Sequence, residues 1–294
     1  MRQLLASIGA LMLAVAMLMT ASGLFGTFLG LRSSLEGFSK EWVGLLMSAH
    51  YGGLVLGALR CGRLINRIGH IRAFAAFCAM AAAFSCLFPF VVHPVVWVLL
   101  RSAIGFNMAG MFMVVESWLT TQASDRTRGT ALSIYMMVTY LAAGSGPLLI
   151  NLADPAGQEL FLLAVMLFAL ALVPVAVTRT RAPVPVEAAH FGLRRLYAIS
   201  PLAVIGCIGA GLVCGAAYGM GPVFAQSLGL RVAEISGFMS VLQVSGLLLQ
   251  LPLGRLSDRY DRRSVLTLAT LALALVSLAI VALMLWHSLS DIGG

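Results

Sequence analysis

Gly62-Arg63-Leu64-Ile65-Asn66-Arg67-Ile68-Gly69-His70 and Gly254-Arg255-Leu256-Ser257-Asp258-Arg259-Tyr260-Asp261-Arg262-Arg263 are two versions of one pattern, 192 positions apart. Each is a knot of positive charge between two long apolar runs. In an apolar chain such a repeat predicts two similar helix bundles in a membrane, the usual build of a secondary transporter.

The surrounding composition agrees. Of 294 residues 60% are hydrophobic and 10% charged, and the mean hydropathy is +0.97. A soluble domain has about 25% charged residues. Too little polar surface exists here to cover a water-soluble globule, so the lipid bilayer is the expected solvent. The net charge of +8 does not point to nucleic acid. No stretch combines basic residues with the polar, solvated surface that such binding needs. The five cysteines (Cys61, Cys78, Cys86, Cys207 and Cys214) lie in or beside apolar segments without metal-ligand spacing. They read as packed free thiols, and no metal or cofactor is expected. The run from Leu4 to Leu31 is too long for a signal peptide and reads as a retained first span.

A span needs about 20 mostly apolar residues. Nine are expected, at 4–30, 41–61, 72–92, 95–119, 129–151, 159–178, 200–225, 233–253 and 264–286. With the N-terminus in the cytoplasm, the inner connections hold Arg63, Arg67, Arg72, Arg126, Arg128, Arg179, Arg181, Arg194, Arg195, Arg255, Arg259, Arg262 and Arg263. The outer ones hold Arg32, Lys40 and Arg231. This bias sets the orientation. Trp42, Trp97 and Trp286 fall near outer span ends and Trp118 near an inner end, where amphipathic rings favour the headgroup zone.

Residues 179–198 carry Pro183, Pro185 and His190 among several charges, and proline cannot continue a helix. The expected organisation is a six-helix bundle at 1–178, a cytoplasmic linker at 179–198 and an incomplete three-helix bundle at 199–294. At the repeat's offset Gly37 falls on Gly229, each in an outer turn. A full second copy calls for three more spans after Trp286, so the second bundle reads as unfinished.

These residues resemble the major facilitator superfamily. Its pattern Gly-x-x-x-Asp-Arg-x-Gly-Arg-Arg/Lys between spans two and three is met at Gly62, Arg67 and Gly69, and again at Gly254, Asp258, Arg259, Arg262 and Arg263. Its span-four pattern Arg-x-x-x-Gly is met by Arg101 and Gly105. The runs Met113–Ser117, Tyr135–Val138 and Pro252–Leu256 resemble the YcaD-type branch of bacterial inner-membrane facilitators. Three departures stand out. Asn66 replaces the usual Asp, His70 replaces a common Arg, and the span-five pattern is reduced to Gly144-Ser145-Gly146-Pro147. The resemblance implies an all-α membrane protein of major-facilitator type in the bacterial inner membrane. It implies alternating access for a small solute, with proton coupling.

Arg101 sits inside the hydrocarbon, where a charge is costly and usually faces a cavity or partner. The resemblance implies that it serves proton coupling or binds an anionic group; the bland alternative is snorkelling to the headgroups. Glu116 follows 15 residues later on nearly the same helix face, about 22 Å along the axis, too far to pair with Arg101. It is expected either to carry a proton or to latch onto Arg67 at the inner surface. His50, mid-span beside Tyr51, is a proton-shuttle candidate or a packed neutral histidine. Asn107, Tyr218 and Gln243 are candidate cavity hydrogen-bonders, with helix-to-helix bonding as the alternative. The basic turns, Gly62, Arg63, Asn66, Arg67 and Gly69 with Gly254, Arg255, Asp258, Arg259 and Arg262, are candidate gates or plain topology determinants. No catalytic constellation is present, and the single lysine, Lys40, is placed outside, so neither an enzyme nor an ATP-driven pump is expected. The alternative to a proton-coupled transporter is a non-transporting remnant or scaffold of the same fold.

Overall fold

The computed structural model describes residues 2–123, 127–177 and 193–292, with side chains for all of these except 2–7, 193, 251, 254, 255, 257, 258, 262 and 284–292. The helices are α1 (Arg2–Leu35), α2 (Lys40–Ile68), α3 (His70–Leu87), α4 (Pro94–Gln122), α5 (Arg128–Leu148), α6 (Glu159–Leu170), α7 (Leu172–Val177), α8 (Leu193–Ile199), α9 (Pro201–Ser227), α10 (Val232–Arg259) and α11 (Arg262–Ile292). Nine segments among the described residues are long and apolar enough to cross a membrane. One of them, Glu159–Val177, takes in both α6 and α7. The break between those two at Ala171 follows from Pro174, whose ring clashes with the carbonyl four residues back, on Leu170.

Helix ends differ from the expectation in one consistent way. The basic patterns are not loops. α2 runs through Gly62, Arg63, Asn66 and Arg67 to Ile68, and α10 runs through Gly254 and Arg255 to Arg259. Arginine is a good helix former, so a helix leaving the bilayer continues until the backbone forces a stop. For α2 the stop is Gly69, at φ 86° and ψ 158°, a region open essentially to glycine alone.

The repeat extends to the backbone hydrogen bonds. α2 and α10 start 192 positions apart, as do α3 and α11. The turn before α2 has Gly37 at φ 74°, with Gly37 N–H donating to Ser34 O (3.1 Å) and Phe38 N–H to Ser33 O (3.0 Å). The turn before α10 has Gly229 at φ 77°, with Gly229 N–H donating to Gln226 O (2.9 Å) and Leu230 N–H to Ala225 O (3.3 Å). Both are Schellman caps, and every partner is displaced by the same 192 residues.

Two compact units follow one another along the chain, Met1–Val244 and Ser245–Gly294. In the first, the core is aromatic. Phe25, Phe28, Phe88, Trp97 and Phe161 are fully buried, with ring centroids 4.7–6.2 Å apart. Trp97 is therefore not a headgroup anchor as expected. Its indole N–H donates to Phe88 O (3.2 Å), in the short helical turn after α3, and to Val91 O (3.0 Å) just past that turn. A buried indole needs such an acceptor. Trp118 is also buried, and Trp42 is exposed. In the second unit, α11 presents Leu266, Leu268 and Leu271 outward. The Trp286 side chain and residues 179–192 of the linker lie outside what the structure describes.

Between helices in lipid, apolar burial supplies little driving force, because the tails are as apolar as leucine. Close approach at small residues does more. A Cβ on Gly105 of α4 would run into the carbonyl oxygen of His50 on α2, and one on Gly57 would stand 2.7 Å from Ala109 Cβ. Interhelical polar bonds add about 0.6 kcal/mol each on average. Asn151 Nδ2 donates to Ser236 Oγ (2.8 Å), and the Ser240 hydroxyl donates to Gly144 O, tying the end of α5 and the turn after it to α10. Gly206, Gly209 and Gly211 of α9 have open space around them and make no such contact here.

Gly105→Val is expected to cost about 1–3 kcal/mol by overpacking, whereas Gly206→Val, facing open space, leaves stability unchanged. Thermal unfolding of the detergent-purified variants reads the difference. Gly37→Ala and Gly229→Ala are expected to lower stability by similar amounts, roughly 1–2 kcal/mol each, since alanine pays the left-handed penalty in both turns. The same melts check this, and a clear inequality would break the equivalence of the two turns.

Candidate functional site

A cavity of about 140 Å³ opens inside the first unit. Its wall is drawn from six helices. α1 gives Ser22, Gly23, Gly26 and Thr27; α2 gives Met47, His50 and Tyr51; α4 gives Arg101. α5 gives Ala143, α9 gives Tyr218 and Gly219, and α10 gives Met239 and Gln243. Because α9 and α10 are the repeat partners of α1 and α2, helices of both repeats contribute to one wall.

The α2–α4 crossing makes the centre of the site. Gly105 lies one helical turn beyond Arg101, on the same face. Its missing side chain lets the His50 backbone touch α4, so His50 and Arg101 come to the same level of the cavity. Arg101 is 5% exposed. Its guanidinium carbon stands 5.5 Å from the centroid of Phe25, a cation–π distance. One of its terminal nitrogens is 3.6 Å from where a Cβ on Gly26 would be. Its Nε has no hydrogen-bond partner. Among the described residues the ion pairs are Arg32–Glu36 and Arg231–Glu234, and no carboxylate lines the cavity.

That isolation is expensive. Burying a cation costs several kcal/mol even after relaxation, and a cation–π contact returns about 0.5–2. His50 adds a second unsatisfied group: its Nδ1 is buried without a partner, and its ring meets Tyr51 edge-on at 5.6 Å. The wall thus offers a guanidinium, an imidazole, two phenols, an amide and two hydroxyls, with no negative charge.

Of the residues singled out in the sequence, Arg101, His50, Tyr218 and Gln243 come together here. Asn107 does not. It is 1% exposed, and its amide donates to Ala103 O on its own helix (2.7 Å), a local bond that competes with any ligand. Glu116 does not either. It is exposed, and its Oε1 accepts from Tyr135 OH at 3.4 Å. No ion pair joins it to Arg67, which points outward from the last turn of α2. His70, the first residue of α3, is buried with Nε2 3.1 Å from Ser117 Oγ on α4. Tyr51, Thr27, Met47 and Met239 were not singled out. Tyr51 had a signal, its adjacency to His50; Thr27 is a buried hydroxyl in an apolar run.

A family model described as Major Facilitator Superfamily matches residues 4–292. The chain belongs to the Major Facilitator Superfamily. An uncharacterized MFS-type transporter of Yersinia pestis (strain Pestoides F) is 31% identical over 251 residues, 81% of this chain and 63% of that protein. The uncharacterized MFS-type transporter YcaD of Escherichia coli O17:K52:H18 (strain UMN026 / ExPEC) is 29% identical over 275 residues, 92% of this chain and 72% of that one. The chain thus spans a little under two thirds of the first of these relatives. Among solved structures, nucleoside transporter NupG (D323A mutant) superposes with TM-score 0.70 at 16% identity, over 85% of this chain and 68% of that chain. A bacterial homologue of the human lysosomal transporter Spinster, inward-facing and unoccupied, gives TM-score 0.71 at 15% identity, over 88% and 63%. These likenesses establish the fold.

Within the first unit none of the residues of the first basic pattern lines the cavity. Arg63, Asn66 and Arg67 are exposed on the last turns of α2. In the second unit Arg259 is exposed at the end of α10. The side chains of Arg255, Asp258 and Arg262 lie outside the described residues.

An uncompensated buried charge predicts a signature in stability. Arg101→Gln removes the charge, and with it the several kcal/mol that burying an ion costs, while keeping much of the volume. The variant is expected to melt at or above the temperature of the unsubstituted protein. A clear drop in the melting temperature would mean that the guanidinium has an anionic partner in the resting protein.

Proposed function

We propose that the chain works as a secondary transporter of a small solute by alternating access, with the six-helix cavity as its solute site. The observation that carries this reading is the placement of Arg101, His50, Tyr218 and Gln243 in a wall built by both repeat copies. Transporter sites characteristically lie at repeat interfaces, and ionisable groups at membrane depth are retained for function. In this reading the six-helix bundle at 1–178 rocks against the helices from 199 onward, with 179–198 as a cytoplasmic linker. The Arg67 and Arg259 turns lie at the inner surface of a bacterial inner membrane, the N-terminus is cytoplasmic, and both turns take part in gating. Glu116, which meets Tyr135 rather than Arg67 here, has no partner role assigned in this scheme.

The reading includes proton coupling through His50. It is the side chain in the cavity wall whose ordinary titration falls near neutral pH, and it stands within electrostatic reach of Arg101. Two experiments test the scheme. In proteoliposomes carrying the purified protein, a solute that is a substrate exchanges in counterflow, and an imposed pH gradient drives its accumulation. His50→Gln is expected to keep counterflow and to lose gradient-driven accumulation. Accumulation in that variant equal to that of the unsubstituted protein would remove His50 from the coupling. Single cysteines at 67 and 259, in a background without native cysteines, are expected to react with an impermeant maleimide from the same, cytoplasmic side. Labelling from opposite sides would overturn the topology.

A further inference from the structure

The cavity wall has a charge and a shape, and together they restrict what fits. We propose that its solute is a small organic monoanion, a carboxylate whose two oxygens pair with the Arg101 guanidinium. This rests on the reading of the cavity as a solute site and names the chemistry of its occupant.

Four observations carry it. Arg101 is almost entirely buried, yet no carboxylate among the described residues pairs with it or lines the cavity. Beside one of its terminal nitrogens stands Gly26, which has no side chain to cover that nitrogen. The ring of Phe25 takes one face of the group and leaves its donor edge, the part that matches a carboxylate's two oxygens, to other partners. The nearest acidic side chain on the same helix, Glu116, is about 22 Å along the axis and engaged with Tyr135.

The remaining wall is suited to an anion's other end. Tyr51 and Tyr218 offer hydroxyl donors on flat apolar rings, Gln243 offers an amide, and Met47 offers an adaptable thioether. His50 brings a second nitrogen, buried and unbonded, to the same side as Arg101. A cationic solute would meet the like charge of the guanidinium and no carboxylate among the described residues. A neutral polyol would hydrogen-bond to the guanidinium but leave its charge unbalanced in a low dielectric. Charge also limits the count: one permanent cation suits one negative charge. Volume limits the size. A cavity of about 150 Å³ holds a benzene molecule, and the one here, at about 140 Å³, holds a solute of about six non-hydrogen atoms by the same measure.

The test compares isosteres on the purified full chain. Propionate, lactate and pyruvate are titrated against propionamide and lactamide, with propylamine as the cationic arm, by calorimetry and by the shift in unfolding temperature. At least one carboxylate is expected to bind ten times or more tighter than its amide, and the amine not to bind. Arg101→Gln is expected to erase the preference while remaining folded. Arg101→Lys is expected to keep the sign of the preference but weaken it tenfold, since an ammonium lacks the planar fork. The proposal is overturned if no carboxylate of the panel binds the unsubstituted protein, if amide and carboxylate bind alike, or if the preference survives in Arg101→Gln. The comparison within the unsubstituted protein needs no variant to fold. A protein that prefers carboxylates but gives no counterflow in vesicles overturns the transport reading and leaves this one standing. Counterflow of neutral solutes with no carboxylate preference does the reverse.

Discussion

The contact between α2 and α4 is the constraint from which the site follows. In water, two helices are pressed together by the expulsion of solvent from their apolar faces. In a bilayer that pressure is largely absent, and helices associate where their surfaces let backbones come close. Gly53 and Gly57 on α2 and Gly105 on α4 remove the side chains that would otherwise hold these two apart. The consequence is positional. With the His50 carbonyl lying against Gly105, one turn from Arg101, an imidazole and a guanidinium come to share one level of the membrane interior. The family pattern Arg-x-x-x-Gly joins the charge and the small residue that lets the partner helix reach it.

The second organising fact is the repeat. Matching Schellman caps at Gly37 and Gly229 mean that α1–α2 and α9–α10 turn by the same hydrogen bonds, not merely at similar lengths. Equal turns present equivalent faces. The cavity is lined by α1 with its copy α9 and by α2 with its copy α10, which is what a site shared between two related halves requires. The equivalence is of scaffold and not of chemistry. His50 and Tyr51 in one copy stand opposite Leu242 and Gln243 in the other, so both charged and titratable groups fall on one side.

Much of this was legible in the sequence because hydropathy and periodic charge are one-dimensional signals. The nine spans, the basic pattern and its offset, and the Gly37–Gly229 equivalence could all be read by counting. Arg101 and His50 could be read because charge and imidazole are rare at that depth. What failed depended on rotation or on local hydrogen bonding. Asn107 and Tyr218 look alike as polar groups in apolar helices, but Asn107 donates its amide N–H to Ala103 O on its own helix and does not line the cavity. Trp97 looks like an interface anchor until the carbonyls of Phe88 and Val91 that accept its indole N–H are seen beside it. The helix ends ran past the hydrophobic boundaries because a helix stops where its backbone is interrupted, as at Gly69, and not where the lipid ends.

Arg101 also shows why a stability argument alone misreads such a protein. By the measure of folding, a buried guanidinium with an unbonded Nε is a defect, and selection for stability would replace it with methionine or glutamine. Under the proposed reading, a charge that no carboxylate among the described residues neutralises favours an anion in the cavity. If a carboxylate of this chain neutralised Arg101, a solute would have to displace it, and much of the binding free energy would be lost in the exchange. A solute that arrives to an unpaired cation instead removes a cost already present, so its affinity gains from the instability of the empty site.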